Sequence, residues 1–272
     1  MTKAIVLAVQ DWIARSIAAA APGHVPLLFL SGPQGAGKST ALAAACAALV
    51  PPVAGLGLDD FYLTRAERAE LARRVSPLLH VRGPPGTHDL ALLQAAINAL
   101  RAANDNTVTP LPVFDKLADD RAAPCDWRRF TGRPAAIVVE GWLMGALPDP
   151  AAPDAPPLNQ IEASDAGGVW RRYQEDALAG PYADLWDRAD GYCHLAAPGN
   201  ACVADWRLQQ EASLWQARDE AMPAERRDWV LRFIQHYERL TRRMIAGGRR
   251  PGTLIHLDAG RAVTAITGPP GA

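Results

Sequence analysis

The run Gly32-Pro33-Gln34-Gly35-Ala36-Gly37-Lys38-Ser39 fits the pattern G-x-x-x-x-G-K-S/T of a phosphate-binding loop. Its glycines let the backbone turn so that N–H groups point inward at phosphate oxygens. Lys38 would reach the β- and γ-phosphates, Ser39 would ligate Mg²⁺, and Thr40 would contact the α-phosphate. The loop therefore predicts a site for Mg-ATP or Mg-GTP, with a chance glycine turn before a helix as the alternative.

Acidic residues follow two apolar runs of the sequence. Asp59 and Asp60 come after residues 53–58, and Glu140 comes after residues 136–139. Ligands of a doubly wound sheet bind beyond the carboxyl ends of its strands. Asp59 is therefore a candidate base for an acceptor hydroxyl, and Glu140 a candidate ligand of Mg²⁺, directly or through water. The alternatives are helix capping by either aspartate and a solvated strand end for Glu140.

Two familiar classes of nucleotide-binding protein are excluded. A GTPase would need a guanine-reading N-K-x-D run, and a transporter ATPase would need an L-S-G-G-Q signature. Neither run occurs in the sequence. The nucleotide site then leaves open which compound accepts the phosphoryl group.

Five short apolar runs are separated by long, mostly helical segments, which predicts an α/β fold. The runs are residues 27–30, 53–58, 136–139, 192–195 and 254–257. None alternates strictly between apolar and polar residues, so they suit a buried parallel sheet with right-handed crossovers. The connection from Asp59 to Arg133 is too long for one crossover helix and must hold an insertion. Residues 146–168, rich in Pro, Ala and Asp, are predicted to form a surface loop.

Composition and charge narrow the class of partner. The 272 residues carry 28 basic and 29 acidic side chains, for a net charge of −1. There is no basic excess to hold nucleic acid or an anionic membrane, so we expect a small-molecule partner. Four cysteines without a CxxC pair suggest free thiols in a reducing compartment. No apolar run approaches the roughly 18 to 20 residues that span a bilayer, and we expect a cytoplasmic protein of open oligomeric state.

The N-terminal segment has some features of a secretory signal. Lys3 precedes an apolar run at residues 4–9, and three alanines follow at residues 18–20. Polar residues interrupt that run, however, and apolar residues recur at helical spacing: Val6, Val9, Ile13 and Ile17. This spacing favours an amphipathic helix that caps a domain.

Seven further runs stand in order along the chain. They are LDDFYLT at 58–64, RGPPGTHD at 82–89, PVFDK at 112–116, DR at 120–121, EGW at 140–142, WRLQQE at 206–211 and HYERLTR at 236–242. Together with the phosphate loop they resemble the D-glycerate 3-kinase family, within the P-loop small-molecule kinases that include uridine kinase, pantothenate kinase and phosphoribulokinase. The resemblance covers nearly the whole chain, and the runs at 58–64 and 82–89 are more particular than the phosphate loop.

The resemblance implies transfer of the γ-phosphoryl group of ATP to a hydroxyl of D-glycerate, giving 3-phosphoglycerate. It implies one P-loop kinase domain over residues 1–272, with a five-stranded parallel sheet ordered 2-3-1-4-5. An acceptor-binding insertion is expected at about residues 60–133 and a helical lid at about 199–227. By motif position the catalytic residues are Asp59, Lys38 and the lid residue Arg207. The candidates for acceptor binding are Asp60, Tyr62, Arg82, His88, Lys116 and Arg121. A solvated or ion-paired surface position is an equal alternative for Arg82 and Arg121, and it is the prediction for Arg218, Arg242 and Arg243.

The chain departs from the family pattern near the expected acceptor pocket. Members often have Ser, Asn, Tyr and Ser where this chain has Gly57, Pro84, Phe114 and Leu117, and Leu117-Ala118-Asp119 replaces a Gly-Arg-Gly run. Altered hydrogen-bond donors can change the acceptor, so a nucleoside, pantothenate or a sugar acid is the alternative substrate. A nucleotide-binding regulatory module is the alternative from another class. Asp59 and Glu140 argue against it, because a sensor needs no base aimed at an acceptor.

Overall fold

The structure, a computed structural model, describes residues 3–217 and 219–268, without the side chain of Leu214. Arg218 lies outside the described residues. The strands are β1 Leu27–Ser31, β2 Val53–Gly57, β3 Val108–Leu111, β4 Phe114–Asp115, β5 Asp120–Arg121, β6 Arg128–Thr131, β7 Ala136–Gly141, β8 Gly191–Ala196, β9 Thr253–Leu257 and β10 Val263–Thr267. The α-helices are α1 Lys3–Ala19, α2 Lys38–Ala48, α3 Arg65–Arg74, α4 Leu90–Ala102, α5 Gln160–Ala163, α6 Val169–Ala177, α7 Ala183–Trp186, α8 Ala201–Gln216, α9 Ala224–Phe233 and α10 Glu238–Ile245.

The main sheet has six strands in the order β10-β9-β8-β1-β7-β2. The five strands from β9 to β2 are parallel neighbours, which confirms the predicted order 2-3-1-4-5. The prediction of five strands missed β10, which pairs antiparallel with β9 at the edge of the sheet. Most residues of β10 are exposed, so its sequence lacks the continuous apolar run that predicts a buried strand.

The register of the parallel strands brings the predicted functional segments together. Leu30 of β1 pairs with Glu140 of β7, and Gly57 of β2 pairs with the same Glu140. The phosphate-binding loop follows β1 and a short 3₁₀ helix, Leu58–Phe61, follows β2. Since carboxyl ends of parallel strands meet at one edge of a sheet, the loop, Asp59 and Glu140 share that edge.

Two hydrophobic layers cover the faces of the sheet. Helix α1 belongs to one of them and buries Ile5, Val9, Trp12 and Ile13 against α2 and the strands. The predicted amphipathic helix is thereby confirmed, although Trp12 lies deeper than Val6 and Ile17, which are only half-buried. In the described part of the chain, no helix is both long and apolar enough to cross a membrane.

The segment between β2 and β7 contains two α-helices and two small two-stranded sheets. Helix α3 begins at a capping box in which Thr64 and Glu67 bond each other's backbone N–H, and Asp89 caps α4. Strand β3 pairs with β6, and β4 pairs with β5 in a short hairpin. That hairpin carries Lys116, and it reaches back to the carboxyl end of β2, where Phe114 N–H donates to Asp60.

The prediction of a surface loop at residues 146–168 was wrong in part. Ile161 packs in a hydrophobic cluster with Trp170. Glu162 is buried and paired with Arg239, with Nη2 and Oε2 2.5 Å apart. Arg243, predicted to be a solvated or ion-paired surface residue, is ion-paired with Glu175 at 2.6 Å, but it is partly buried. Paired charges allow such a polar segment to be buried, and composition alone does not reveal the pairing.

His194 on β8 makes the stability of the fold sensitive to acid. Its ring is buried, and Nε2–H donates to the carbonyl of Arg250 at 2.9 Å. Burial and then Arg249 lower its pKa to about 4, from an ordinary value near 6.5. The unfolded chain therefore binds a proton at a pH where the folded chain does not. This contribution to stability is complete above about pH 6.5 and is lost as the pH falls to about 4.

We predict that His194→Gln flattens the loss of stability between pH 6.5 and 4, because glutamine does not titrate. One such histidine adds a slope of at most about 1.4 kcal/mol per pH unit to the free energy of unfolding. Urea unfolding of both proteins at several pH values measures the slope. An unchanged slope in the variant would contradict the prediction.

Candidate active site

The phosphate-binding loop joins β1 to α2, and its backbone curls around the side chain of Lys38. Gly37 precedes α2 with φ 94°, a left-handed conformation that favours glycine. The Lys38 side chain is buried, and Nζ donates to the carbonyl of Pro33 at 3.1 Å. Burial lowers the pKa of Lys38, while the carboxylates of Glu140 and Asp59 oppose the shift. The loop thus holds a cation and the N-terminus of a helix beside it, which is how proteins bind phosphate.

Gly35 fixes how closely the loop and helix α8 approach each other. Its φ is 75°, and a Cβ atom there would lie 2.5 Å from the carbonyl carbon of Trp206. The Nε atom of Arg261, which lies between β9 and β10, donates to the Gly35 carbonyl at 2.8 Å. Two distant segments therefore hold the loop in place, and only glycine fits between them.

Ser39 and Glu140 form the part of the site that would hold a metal ion. Ser39 Oγ donates to Glu140 Oε1 at 2.5 Å. Burial raises the pKa of Glu140, and the charge of Lys38 opposes that shift. A buried carboxylate beside a hydroxyl is an oxygen donor set that suits Mg²⁺. Within residues 3–217 and 219–268, no group of three or more His, Cys, Asp or Glu could hold a metal alone, so phosphate oxygens would supply further ligands.

Asp59 has both carboxylate oxygens engaged. Lys116 Nζ lies 2.9 Å from Oδ2, and the hydroxyl of Tyr62 donates to Oδ1 at 2.6 Å. Burial acts to raise the pKa of Asp59, but Lys116 and Tyr62 outweigh it and hold the pKa at about 2. Asp59 is therefore ionised at neutral pH, and the attraction of Lys116 weakens it as a base.

These residues line one cleft with a volume of about 130 Å³. Ten of its residues belong to the predicted site: Gln34, Gly35, Lys38, Ser39, Asp59, Tyr62, Arg82, Lys116, Glu140 and Arg207. The same cleft is also lined by Gly141, Trp142, Gln210, Phe233 and Tyr237. Four cationic side chains and two carboxylates therefore meet in one small space, a composition suited to anionic ligands.

Tyr237 and Trp142 are cleft residues that were not among the predicted site residues. The Tyr237 hydroxyl donates to the carbonyl of Arg82 at 2.6 Å, and Trp142 Nε1–H donates to the carbonyl of Gly83 at 3.1 Å. Both rings are nearly buried and pack edge to face. Both residues lie in the family-like runs EGW and HYERLTR, and these runs are the signal that could have identified them.

Arg207 reaches the cleft from helix α8, in the predicted lid. Its Nη2 atom lies 2.9 Å from Glu211, one turn further along the helix. Glu211 also pairs with Arg226 of α9 at 2.7 Å, so one buried carboxylate joins the two helices. The arginine is thus held at the cleft by a partner outside it.

Asp60 lies on the other side of the Ser39–Glu140 pair. Its Oδ2 atom is 3.2 Å from Arg128. It faces a second, larger cavity of about 710 Å³ between α2, β2 and β6. That cavity shares Ser39, Asp59, Lys116 and Glu140 with the cleft, but the cleft lining does not include Asp60. Asp59 therefore lines both spaces, whereas Asp60 lines the larger cavity and not the cleft.

His88 and Arg121, both predicted to bind the acceptor, lie behind the cleft and not in its lining. Gly86 N–H donates to the Tyr182 hydroxyl, which in turn donates to His88 Nδ1 at 2.5 Å. Burial lowers the pKa of His88 to about 4, so its ring is neutral at pH 7. It lies beside the Tyr62 ring, with centroids 4.9 Å apart and planes tilted by 32°. Arg121 pairs with Asp89 at 3.0 Å and donates to the carbonyl of Tyr62. Both residues therefore support Tyr62, which bonds Asp59.

Comparison with known proteins supplies relatives over most of the chain. The uncharacterized kinase mug58 of Schizosaccharomyces pombe is 31% identical over 230 residues, 79% of each protein. The chloroplastic D-glycerate 3-kinase of Arabidopsis thaliana is 30% identical over 244 residues, 84% of this chain but 51% of the plant protein. A solved D-glycerate 3-kinase from Cryptococcus neoformans has the same fold, with a TM-score of 0.80 at 23% identity, covering 98% of this chain and 100% of that one. No protein-family model matches the chain.

We predict that Lys116→Met raises the pKa of Asp59 by about one unit or more, because an opposite charge within hydrogen-bonding distance is lost. Carbon-13 NMR of the aspartate carboxyl groups, followed over a pH titration, measures this shift. Arg128→Met is the matched control, because Arg128 acts on Asp60 and does not pair with Asp59. Burial raises the pKa of Asp60, and the charge of Arg128 opposes that shift. An Asp59 pKa that responds equally to both changes would contradict the prediction.

Proposed function

The chain belongs to the D-glycerate 3-kinase family of P-loop kinases and is an ATP-dependent phosphotransferase, and from that premise we propose that its acceptor is D-glycerate. The product would be 3-phosphoglycerate. The observation that carries the proposal is the cleft in which Asp59, Lys116 and Arg82 lie beside the phosphate-binding loop. A base, two cations for a carboxylate and a phosphate site then share one space.

The phosphate loop would hold ATP through its backbone N–H groups and Lys38. Lys38 is already buried and bonded to the carbonyl of Pro33 in the loop, so its charge needs little rearrangement to meet the phosphates. Ser39 and Glu140 would hold Mg²⁺, which when bound neutralises charge on the phosphate oxygens. Arg207, fixed by Glu211, would close over the transferred group and exclude water as a competing acceptor.

Asp59 would accept the proton of the attacking hydroxyl. While Lys116 is paired with it, Asp59 is a weak base with a pKa of about 2. An acceptor carboxylate would offer Lys116 a second partner within the cleft. Because Lys116 would then be shared between two carboxylates, it would lower the pKa of Asp59 less than it does when paired with Asp59 alone. Acceptor binding would therefore strengthen the base at the moment when it is needed.

The charge of the cleft supports a small anionic acceptor. Arg82 and Lys116 line it beside Asp59, and both are suited to bind a carboxylate. A neutral nucleoside would leave these cations without a new partner. Sugar acids and pantothenate also carry a carboxylate, so they are the alternatives to exclude. The two relatives named D-glycerate 3-kinase favour glycerate among these acids.

The proposal is tested by ADP release from purified protein with Mg-ATP, measured with D-glycerate, L-glycerate and no acceptor. We predict strong stimulation by D-glycerate and much weaker stimulation by L-glycerate. Pantothenate, sugar acids and nucleosides are measured in parallel. If ADP release stays at the background rate with D-glycerate and rises with another compound, the glycerate assignment fails.

We predict that Asp59→Asn lowers kcat by about 10²-fold or more, since a positioned base contributes about 10²–10⁴-fold. ATP affinity should change little, because the phosphate loop is untouched. Turnover and equilibrium ATP binding are both measured. Asp60→Asn is the matched comparison: it removes the adjacent carboxylate, which faces the second cavity. If Asp60→Asn lowers kcat more than Asp59→Asn does, Asp60 is the base.

A further inference from the structure

Asp119 joins two arginines in the hairpin turn between β4 and β5. Its Oδ2 atom lies 2.6 Å from Arg68 Nη2, and its Oδ1 atom accepts from Arg82 Nη1. The backbone carbonyl of Asp119 also accepts from Arg68 at 3.0 Å. One short turn therefore binds a guanidinium of α3 and a guanidinium of the cleft.

Arg68 is fully buried, with a relative exposure of 0%. Its other donors reach the carbonyls of Leu63 at 2.7 Å and His80 at 3.3 Å. Such a buried cation is costly without a carboxylate, and Asp119 supplies one. Arg68 thus anchors the position of the Asp119 carboxylate from behind the cleft.

Arg82 is the partner that faces the ligand space. It lines the cleft, and its guanidinium lies over the ring of Phe114, 5.4 Å from the centroid. Arg68 lies 5.6 Å from the same centroid, so the ring contacts both guanidinium groups. Asp119 and Phe114 together restrict Arg82 to one orientation.

The charges of this group do not cancel. Two guanidinium groups share one carboxylate, which leaves the three side chains with one net positive charge. Arg68 is buried, so Arg82 presents that charge to the cleft. An anionic group bound there would complete the neutralisation in a partly desolvated space, where charge-assisted hydrogen bonds are strong.

The backbone of Asp119 also carries strain. Its φ is 54°, in the left-handed region that residues other than glycine seldom adopt. Aspartate and asparagine tolerate this conformation better than most residues. Two ion pairs hold Asp119 in this strained conformation, and strain of this kind is typical of functional positions.

We propose that Asp119 is a positioning residue that selects an acceptor with an anionic group, by holding the Arg82 guanidinium at the cleft with unneutralised positive charge. The proposal rests on the proposed function only in that the acceptor binds in this cleft. Asp119 touches no reacting atom and acts through Arg82. If its role were only to neutralise Arg68, its loss would lower stability without changing acceptor affinity selectively.

The test compares wild type with Asp119→Asn, which keeps a side chain suited to the left-handed backbone and removes the charge. We expect the KM for D-glycerate to rise about tenfold, with kcat and the KM for ATP nearly unchanged. Asp120→Asn is the matched control, because this neighbouring carboxylate bonds the backbone N–H groups of Arg65 and Arg121 instead. It should leave the KM for D-glycerate unchanged.

A double-mutant cycle with Arg82→Gln shows whether Asp119 acts through Arg82. In that background Asp119→Asn should have no further effect on the KM for D-glycerate. Arg82→Gln alone should also lose most of the preference for D-glycerate over its neutral amide, and it tests the same selectivity if Asp119→Asn does not fold. Three results would each overturn the inference. In the first, Asp119→Asn changes the KM for ATP and the KM for acceptor equally, and in the second it changes neither. In the third, its effect adds to that of Arg82→Gln in the cycle.

Failure of the proposed function gives a different result. If wild-type protein does not phosphorylate D-glycerate, the parallel acceptor assays identify the compound that it does phosphorylate. An anionic acceptor whose KM rises in Asp119→Asn still supports the role of Asp119. A neutral acceptor overturns it.

Discussion

The parallel pairing of β1 with β7 is the constraint on which the site depends. Leu30 pairs with Glu140 in that register, so a carboxylate stands beside the first turn of α2 and reaches Ser39. β2 extends the same ladder and delivers Asp59 to the same edge. A shift of one residue in the β1–β7 pairing would turn Glu140 to the other face of the sheet relative to β1 and leave a buried carboxylate without Ser39.

The cations of the cleft are held by partners before any ligand binds. Lys116 pairs with Asp59, Arg207 with Glu211, and Arg82 with Asp119. Such pairs limit the cost of keeping charge in a desolvated place, but they also reduce what each cation offers a ligand. Only the Asp59–Lys116 pair has both members in the cleft. A bound anion can therefore change the pKa of Asp59 there, while the other two pairs supply fixed positive charge.

Short sequence patterns predicted those parts of the molecule whose conformation depends on residues close together in the chain. The glycine spacing around Lys38 and the apolar runs of the parallel strands determine backbone conformation and burial directly, so the loop and the strands followed from them. The strand order came from the family resemblance. His88 and Arg121 were candidates for acceptor binding because they lie in family-like runs between the second and third parallel strands. Their actual positions behind Tyr62 depend on Tyr182 and Asp89, contacts that no local pattern encodes. The pairing of Arg243 with Glu175 was unpredictable for the same reason.

The four single-residue departures from the family pattern were expected near the acceptor pocket, but they do not line the cleft. Its lining includes none of Gly57, Pro84, Phe114 and Leu117, and Leu117 is 87% exposed. The Phe114 ring meets two guanidinium groups through its π system, a contact that needs no hydroxyl. Two departures act on the cleft through Arg82: Asp119 by its ion pair and Phe114 by its ring contact, while Gly57 lines the second cavity. Acceptor choice in this chain is therefore expected to depend on how Arg82 is held more than on the hydrogen-bond donors that it lacks.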